Sequence, residues 1–423
     1  MNKIREGYKV TELGEIPNEW SIMKLSEIAE INPRREVLED KDTVSFIAME
    51  DITNNGRVIN KTDKLYEEVK KGYTPFKDND VLLAKITPCF ENGKRALVGK
   101  LSNGIGFGST EFHVLRANKE GISKFLYYVI SSHRFMSKAE NNMTGSAGQK
   151  RVPTEFIKDY VLAVPTIKEQ EKIASILSTI DEQIDNVDAL IEKNKELKKG
   201  LMQTLFTKGI GHTKFKNTEI GEIPEEWDVK KIGDICEVKG GKRLPKGYQL
   251  EDEDNAFPYI RVADMYMGGI RQDDIKYVPK DIVDKIKNYK ISKDDLFISV
   301  AGTLGIVGQV PYELDGANLT ENADKLCNIQ INKLYLMKVL QSNIVQSIIE
   351  AEQTKSAQPK LALTRIKEFL IPVPSDIEQV KIASILMEVD EKIGQYKNKK
   401  QKLEELKKGL MQQLLTGMIR VTV

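Results

Sequence analysis

One stretch of this chain occurs twice, and the repeat constrains the fold more than any other feature. Residues 164–209 read VPTIKEQEKIASILSTIDEQIDNVDALIEKNKELKKGLMQTLFTKG. From Val373 the chain reads VPSDIEQVKIASILMEVDEKIGQYKNKKQKLEELKKGLMQQLLTGM. Pro165 matches Pro374 and Lys199 matches Lys408, a constant shift of 374 − 165 = 209 without insertion or deletion. In the first copy the apolar row is Ile173, Ile176, Ile180, Ile184, Val187, Ile191, Leu197, Leu201 and Leu205, with Asn194 its polar member. In the second copy it is Ile382, Ile385, Val389, Ile393, Tyr396, Leu403, Leu406, Leu410 and Leu414. Steps of three and four residues are the seam of a coiled coil. Some 40 residues of helix make a rod of roughly 60 Å. A single helix with one apolar stripe is unstable alone in water, so the economical partner of each rod is the other copy. A solvated linker helix is the alternative, but a linker needs no matched second copy.

The duplication extends beyond the rods. ELGEIPNEW, ending at Trp20, returns as EIGEIPEEW, ending at Trp227. The copies continue as KLSEIAEI and KIGDICEV. Proline fixes φ and tryptophan buries a large face, so this turn reads as a structural clamp. Further on, SFIAMEDI corresponds to PYIRVADM, DVLLAKI to DLFISVA and RALVG to GIVGQV, all as strands. EFHVLRA from Glu111 corresponds to DKLCNIQI from Asp324. One amphipathic helix follows in each half, ISKFLYYVISSHRFMSKA from Ile122 and LYLMKVLQSNIVQSIIEA from Leu334. Polar turns and a short helix and strand then lead into the rods. The expected fold is mixed α/β: two similar globular α/β domains separated by two long antiparallel coiled-coil helices, a tandem pseudo-two-fold duplication. The expected boundaries are residues 1–165, 166–212, 213–374 and 375–423.

Composition narrows the partners. The net charge is +1, so any nucleic-acid surface is local, with acidic residues segregated from it. No apolar run is long enough to span a bilayer, and the start MNKIREGYKV carries no signal core, so a cytoplasmic protein is expected. Cys89, Cys236 and Cys327 are scattered and read as buried free thiols.

Motifs for catalysis are missing. There is no GxxxxGK[ST] and no HExxH. The glycines of GIGFG from Gly104 lack the third position of a dinucleotide fingerprint, and AGTLG from Ala301 reads as a turn between strands. His113, His133 and His212 are far apart, and no carboxylates form a metal-nuclease cluster. No catalytic residue, cofactor or metal site is expected.

The frame of the duplication is kept while the loops between strands have diverged. Specificity in such a chain belongs in the loops. In the first half the basic and amide-bearing candidates for DNA are Lys85, Thr87, Lys94 and Arg95, then Ser109 and Thr110, then Ser146, Gln149, Lys150 and Arg151. In the second half they are Lys242 and Arg243, Ser299 and Thr303, Asn318 and Thr320, then Lys355, Ser356, Gln358 and Lys360. Lysine and arginine neutralise phosphates, arginine bonds guanine bidentately, and glutamine or asparagine does so with adenine. Each loop alone also reads as an ordinary solvated turn. The two glutamines, however, share the rod's shift, 358 − 149 = 209.

The duplicated GEIPxxW, the VPxxxEQxKIASIL start of each rod and its LKKGLMQxL[FL]T end together resemble the specificity subunit of type I restriction–modification systems, over nearly the whole chain. The resemblance implies that the globular halves are target recognition domains, each reading half of a split, asymmetric double-stranded DNA site. It implies that the rods set the gap and dock methyltransferase subunits, two of them, with restriction subunits joining in the full complex. S-adenosylmethionine, ATP and magnesium then belong to those partners. Closure of the arrangement falls to residues near Leu410 to Val423. The alternative is a duplicated coiled-coil scaffold for proteins alone, with near-neutral charge as its support.

Overall fold

The structure, a computed structural model, describes residues 4–146, 148–353 and 360–422. Its chain divides into two compact units, Met1–Asp188 with Asn398–Val423, and Ala189–Lys397.

In the first unit, Ala29–Ile31, Phe112–Ala117, Val81–Ala84 and Arg95–Leu97 form an antiparallel four-stranded sheet in that order. A second sheet runs Thr62–Leu65, Thr43–Ile47, Ile105–Gly108, Thr74–Lys77, with one parallel pair. Gly106 lies under the Phe76 ring, where a Cβ would sit 2.2 Å from the ring carbon. Gly106 and Gly108 therefore serve close packing of a strand, while Gly104 takes a positive φ of 69° in the turn before it. In the second unit the sheets repeat: Glu237–Gly240, Ala323–Cys327, Leu296–Ser299, Val307–Gln309, and Lys276–Tyr277, Pro258–Ile260, Ala317–Leu319, Lys290–Ile291. Ala84 pairs with Phe112 and Ser299 with Ala323. The counterpart of the Glu111 stretch thus sets His113, two residues on, against Asp324, a different register from the one drawn from the sequence.

The single amphipathic helix expected in each half is two. In the first unit Ser123–Ser131 and His133–Asn141 meet at Ser132, whose ψ of 143° breaks the helix and whose hydroxyl caps the next one by accepting from Phe135 N. In the second unit the break between Lys333–Leu340 and Asn343–Gln353 carries Ser342.

Each clamp closes on a two-stranded ribbon, Ser21–Lys24 with Val161–Val164, and Asp228–Lys231 with Leu370–Val373. Trp20 and Trp227 are fully buried. Their indole N–H groups donate at 2.9 Å to Glu169 and Glu378, in the first turns of the two long helices. Those helices are Ile167–Thr207 and Asp376–Leu414.

Within the first unit the start of the first long helix lies antiparallel to the end of the second. Asp181 pairs with Lys407 at 2.6 Å, and one heptad along each helix Asp188 pairs with Lys400 at 2.7 Å. Leu414 shares a core with Ile173 and Leu177. The tail then folds back: Tyr8 donates to Gly417 O at 2.9 Å, and Arg420 donates to buried Glu169 at 2.8 Å. Within the second unit Lys198 pairs with Asp390 at 2.6 Å, and Leu205 and Phe206 share a core with Ile382 and Leu386.

The seam departs from the sequence reading at one pair of positions. Leu197 and Leu406 are about half exposed, and Lys198 and Lys407 take the inward places beside them. A lysine stem covers apolar surface while its ammonium reaches a carboxylate, so the seam steps from Asn194 onto lysine. The cysteines are free. Cys236 and Cys327 are buried and Cys89 is half-buried; burial pushes the Cys236 thiol up to about 12.

Candidate nucleic-acid interface

In the first unit three of the candidate loops meet at one end of the central sheet. Lys85 N donates to Glu111 O, Thr87 N to Lys150 O and Val152 N to Lys85 O, each at 2.9 Å. Arg151 faces Ile86 and Thr144 across isolated bridges. Thr110, Ser146, Gln149 and Lys150 are exposed on this cluster, and Lys85, Thr87 and Ser109 are half-buried within it. Arg151 makes a bidentate pair with Glu111, Nε to Oε2 at 3.0 Å and Nη2 to Oε1 at 2.8 Å. The pairing holds the Glu111 carboxyl below the usual range.

Lys94 and Arg95 turn inward instead. Lys94 Nζ donates to Met49 O at 2.7 Å. Arg95 donates to Ser131 Oγ and to Gly93 O, beside the Tyr127 ring, and burial lowers its pKa. These two brace the loop from within.

The second unit builds the same cluster from different residues. Lys242 N donates to Leu319 O at 2.8 Å, Val300 N to Asn322 O at 2.8 Å and Leu361 N to Val300 O at 2.9 Å. Ala301 bridges to Lys360 as Ile86 does to Arg151. A Cβ at position 241 would lie 2.1 Å from Thr320 O, so only glycine lets the GGKR loop approach so closely. Lys242, Arg243, Thr303 and Lys360 are exposed. Arg243 pairs with Glu321. Three candidates are internal. Buried Ser299 donates to Thr303 O at 2.6 Å, Asn318 to Ile286 O at 2.8 Å, and Thr320 to Glu321 at 3.1 Å. Lys355, Ser356 and Gln358 lie outside the described residues.

Beneath these loops sit two buried polar groups, His113, which the sequence gives no catalytic role, and Asp324. His113 donates from Nε2 to Val152 O at 2.8 Å and accepts at Nδ1 from Asn32 at 3.3 Å; burial pulls its pKa down to about 4. At the matching place Asp324 is buried, and among the described residues its Oδ2 has no hydrogen-bond partner. Burial raises its pKa to about 6, against a smaller lowering by Lys360. Only the strand register reveals this pair. Among the described residues no group of three His, Cys, Asp or Glu is placed to hold a metal ion, and no helix is long and apolar enough to cross a membrane.

The family model described as Type I restriction modification DNA specificity domain matches residues 17–197 and again residues 224–405. The chain belongs to that family. The repeat of the family domain coincides with the repeat of sheet, clamp and long helix. A putative type I restriction enzyme specificity subunit, MjaX of Methanocaldococcus jannaschii, is 28% identical over 98% of this chain and 97% of its own. The EcoAI specificity subunit of Escherichia coli is 38% identical over 50% of this chain. That alignment spans only 36% of the E. coli chain. Two solved structures share the fold. A chain from a study of assembly and conformational transition in the type I R-M system gives a TM-score of 0.58 at 18% identity, covering 96% of this chain and 99% of that one. The S subunit of M. genitalium gives 0.57 at 21% identity, covering 99% of each. In this specificity-family chain, then, two similar α/β domains and two long helices carry two loop clusters of one backbone plan and different side chains.

Proposed function

We propose that the chain is the sequence-reading subunit of a type I restriction–modification complex and is not itself an enzyme. The recognition domains are residues 1–165 and 213–374, with helical spacers at 166–212 and 375–423. Each domain reads half of a split DNA site through its loop cluster, and the paired helices set the gap between halves. One observation carries the reading: a single backbone frame is used twice to present different polar side chains at the same end of the sheet. That is what two different half-sites require.

Methyltransferase subunits, two of them, dock on this framework, and restriction subunits join the full complex. Half-exposed Leu197 and Leu406 on the long helices support such docking. So does a groove of about 980 Å³ in the first unit, with Leu13, Met136, Met411 and Leu415 in its floor and Arg134 and Lys408 at its rim. Methyl-donor and nucleotide chemistry reside on those partners in the cytoplasm. Binding of duplex DNA is measured with the modification subunits present and salt varied. Affinity should fall steeply as salt rises, since phosphate contacts release counterions. No binding of duplex would point to the protein-only scaffold, and a flat salt response or equal affinity for all sequences would contradict the reading of half-sites.

A further inference from the structure

We propose that Arg151 reads a guanine in the half-site of the first domain and that Glu111 is its positioning residue; this rests on the interface reading above. Glu111 engages the guanidinium side-on, through Nε and Nη2, which fixes its plane. Among the described residues Nη1 donates once, to Gln149 O at 3.2 Å. One N–H therefore remains on each terminal nitrogen. A donor from each of the two is what the O6 and N7 acceptors of guanine take up. Adenine presents an amino group where guanine presents O6, so donor would meet donor. The side chain is 43% exposed, open enough to meet a base. Its backbone is held by partners on two strands of chain, Ile86 and Thr144, so the fork is presented from a fixed support.

The second domain supplies the control. Lys360 stands where Arg151 stands, facing Ala301, and Asn322 stands where Glu111 stands, accepting from Val300 N. The backbone frame survives without the ion pair, so the frame does not need it. Guanidinium and carboxylate are exchanged together, as expected of a reading pair. Lysine offers a point charge without a planar fork, so the second domain reads this position differently.

The test uses the full chain assembled with its modification subunits. The first half-site is randomised, the second is kept native, and methylated products are sequenced for wild type, Arg151→Lys and Glu111→Gln. Arg151→Lys should lower guanine preference about tenfold or more at a single position. Glu111→Gln should loosen that same position and no other, which a purely structural residue would not do. Melting is followed in parallel, and any variant that melts early is read below its transition. An even loss over all sequences with a shallower salt slope would make Arg151 a phosphate contact and overturn the proposal, leaving the interface intact. Unchanged preference at every position would also overturn it. A wild-type complex with no preference in either half would sink the interface reading and this proposal together.

Discussion

Lys198 and Asp390 meet at 2.6 Å in the second unit, and their duplication counterparts Lys407 and Asp181 meet at 2.6 Å in the first. The shifts agree, 407 − 198 = 209 and 390 − 181 = 209. The third member of each node differs. Tyr128 donates its hydroxyl to Asp181 at 2.7 Å, whereas Lys338, almost fully buried, gives its ammonium to Asp390. Burial lowers the Lys338 pKa and Asp390 opposes it.

Removing the carboxylate should therefore cost unequal amounts. Asp390→Asn strands a buried ammonium and should destabilise the second unit by about 3 kcal/mol. Asp181→Asn leaves a neutral phenol and a lysine that can reach water, and should cost about 1 kcal/mol. Lys338→Tyr should relieve most of the Asp390→Asn penalty. Urea unfolding of the single and double variants measures all three; equal costs at the two sites would contradict the account.

His113 and Asp324, at matching places in the two sheets, should give opposite pH dependence. The His113 pKa is depressed from 6.5 to about 4, so its contribution is present above 6.5 and is lost as pH falls toward 4. The Asp324 pKa is raised from 3.8 to about 6, so its contribution is present below 3.8 and is lost as pH rises through 6. Moving from pH 7 to pH 5 should weaken the first unit and strengthen the second. Asp324→Asn should stabilise the second unit at pH 7 by about 1–3 kcal/mol and flatten its profile between pH 4 and 6. Hydrogen exchange resolved by unit at the two pH values checks the sign.

Arg420 and buried Glu169 form the closing pair of the C-terminal tail, with Trp20 on the same carboxylate. Arg420→Ala should cost the first unit about 2–3 kcal/mol, because Glu169 keeps only the indole N–H of these partners. Hydrogen exchange at Trp20 should rise in this variant, while that at Trp227 stays unchanged.

Much of this was legible in the sequence because duplication is read by comparing the chain with itself. Both tryptophan clamps, the paired central strands and both long helices follow from matched residues. Helix breaks at Ser132 and near Ser342 were not legible, since an apolar stripe can run on through a serine cap. Leu197 looked like a seam residue because the pattern weighs apolarity, while the packing chose the stem of Lys198. At the interface the loops were found but not the direction of each side chain. Lys94 and Arg95 read as loop-face residues yet point inward, and no spacing rule separates them. The Arg151–Glu111 pair joins residues 40 apart in sequence, and the His113–Asp324 correspondence needs a strand register that sequence identity there is too low to fix.

The account's central claim is that paired helices hold two readers at a set distance on DNA. One heptad is removed from each long helix at facing positions, and the sites methylated by the assembled complex are sequenced. The account predicts both half-sites unchanged and the gap shortened by about three base pairs, roughly the rise of seven helical residues. An unshortened gap between intact half-sites would contradict it.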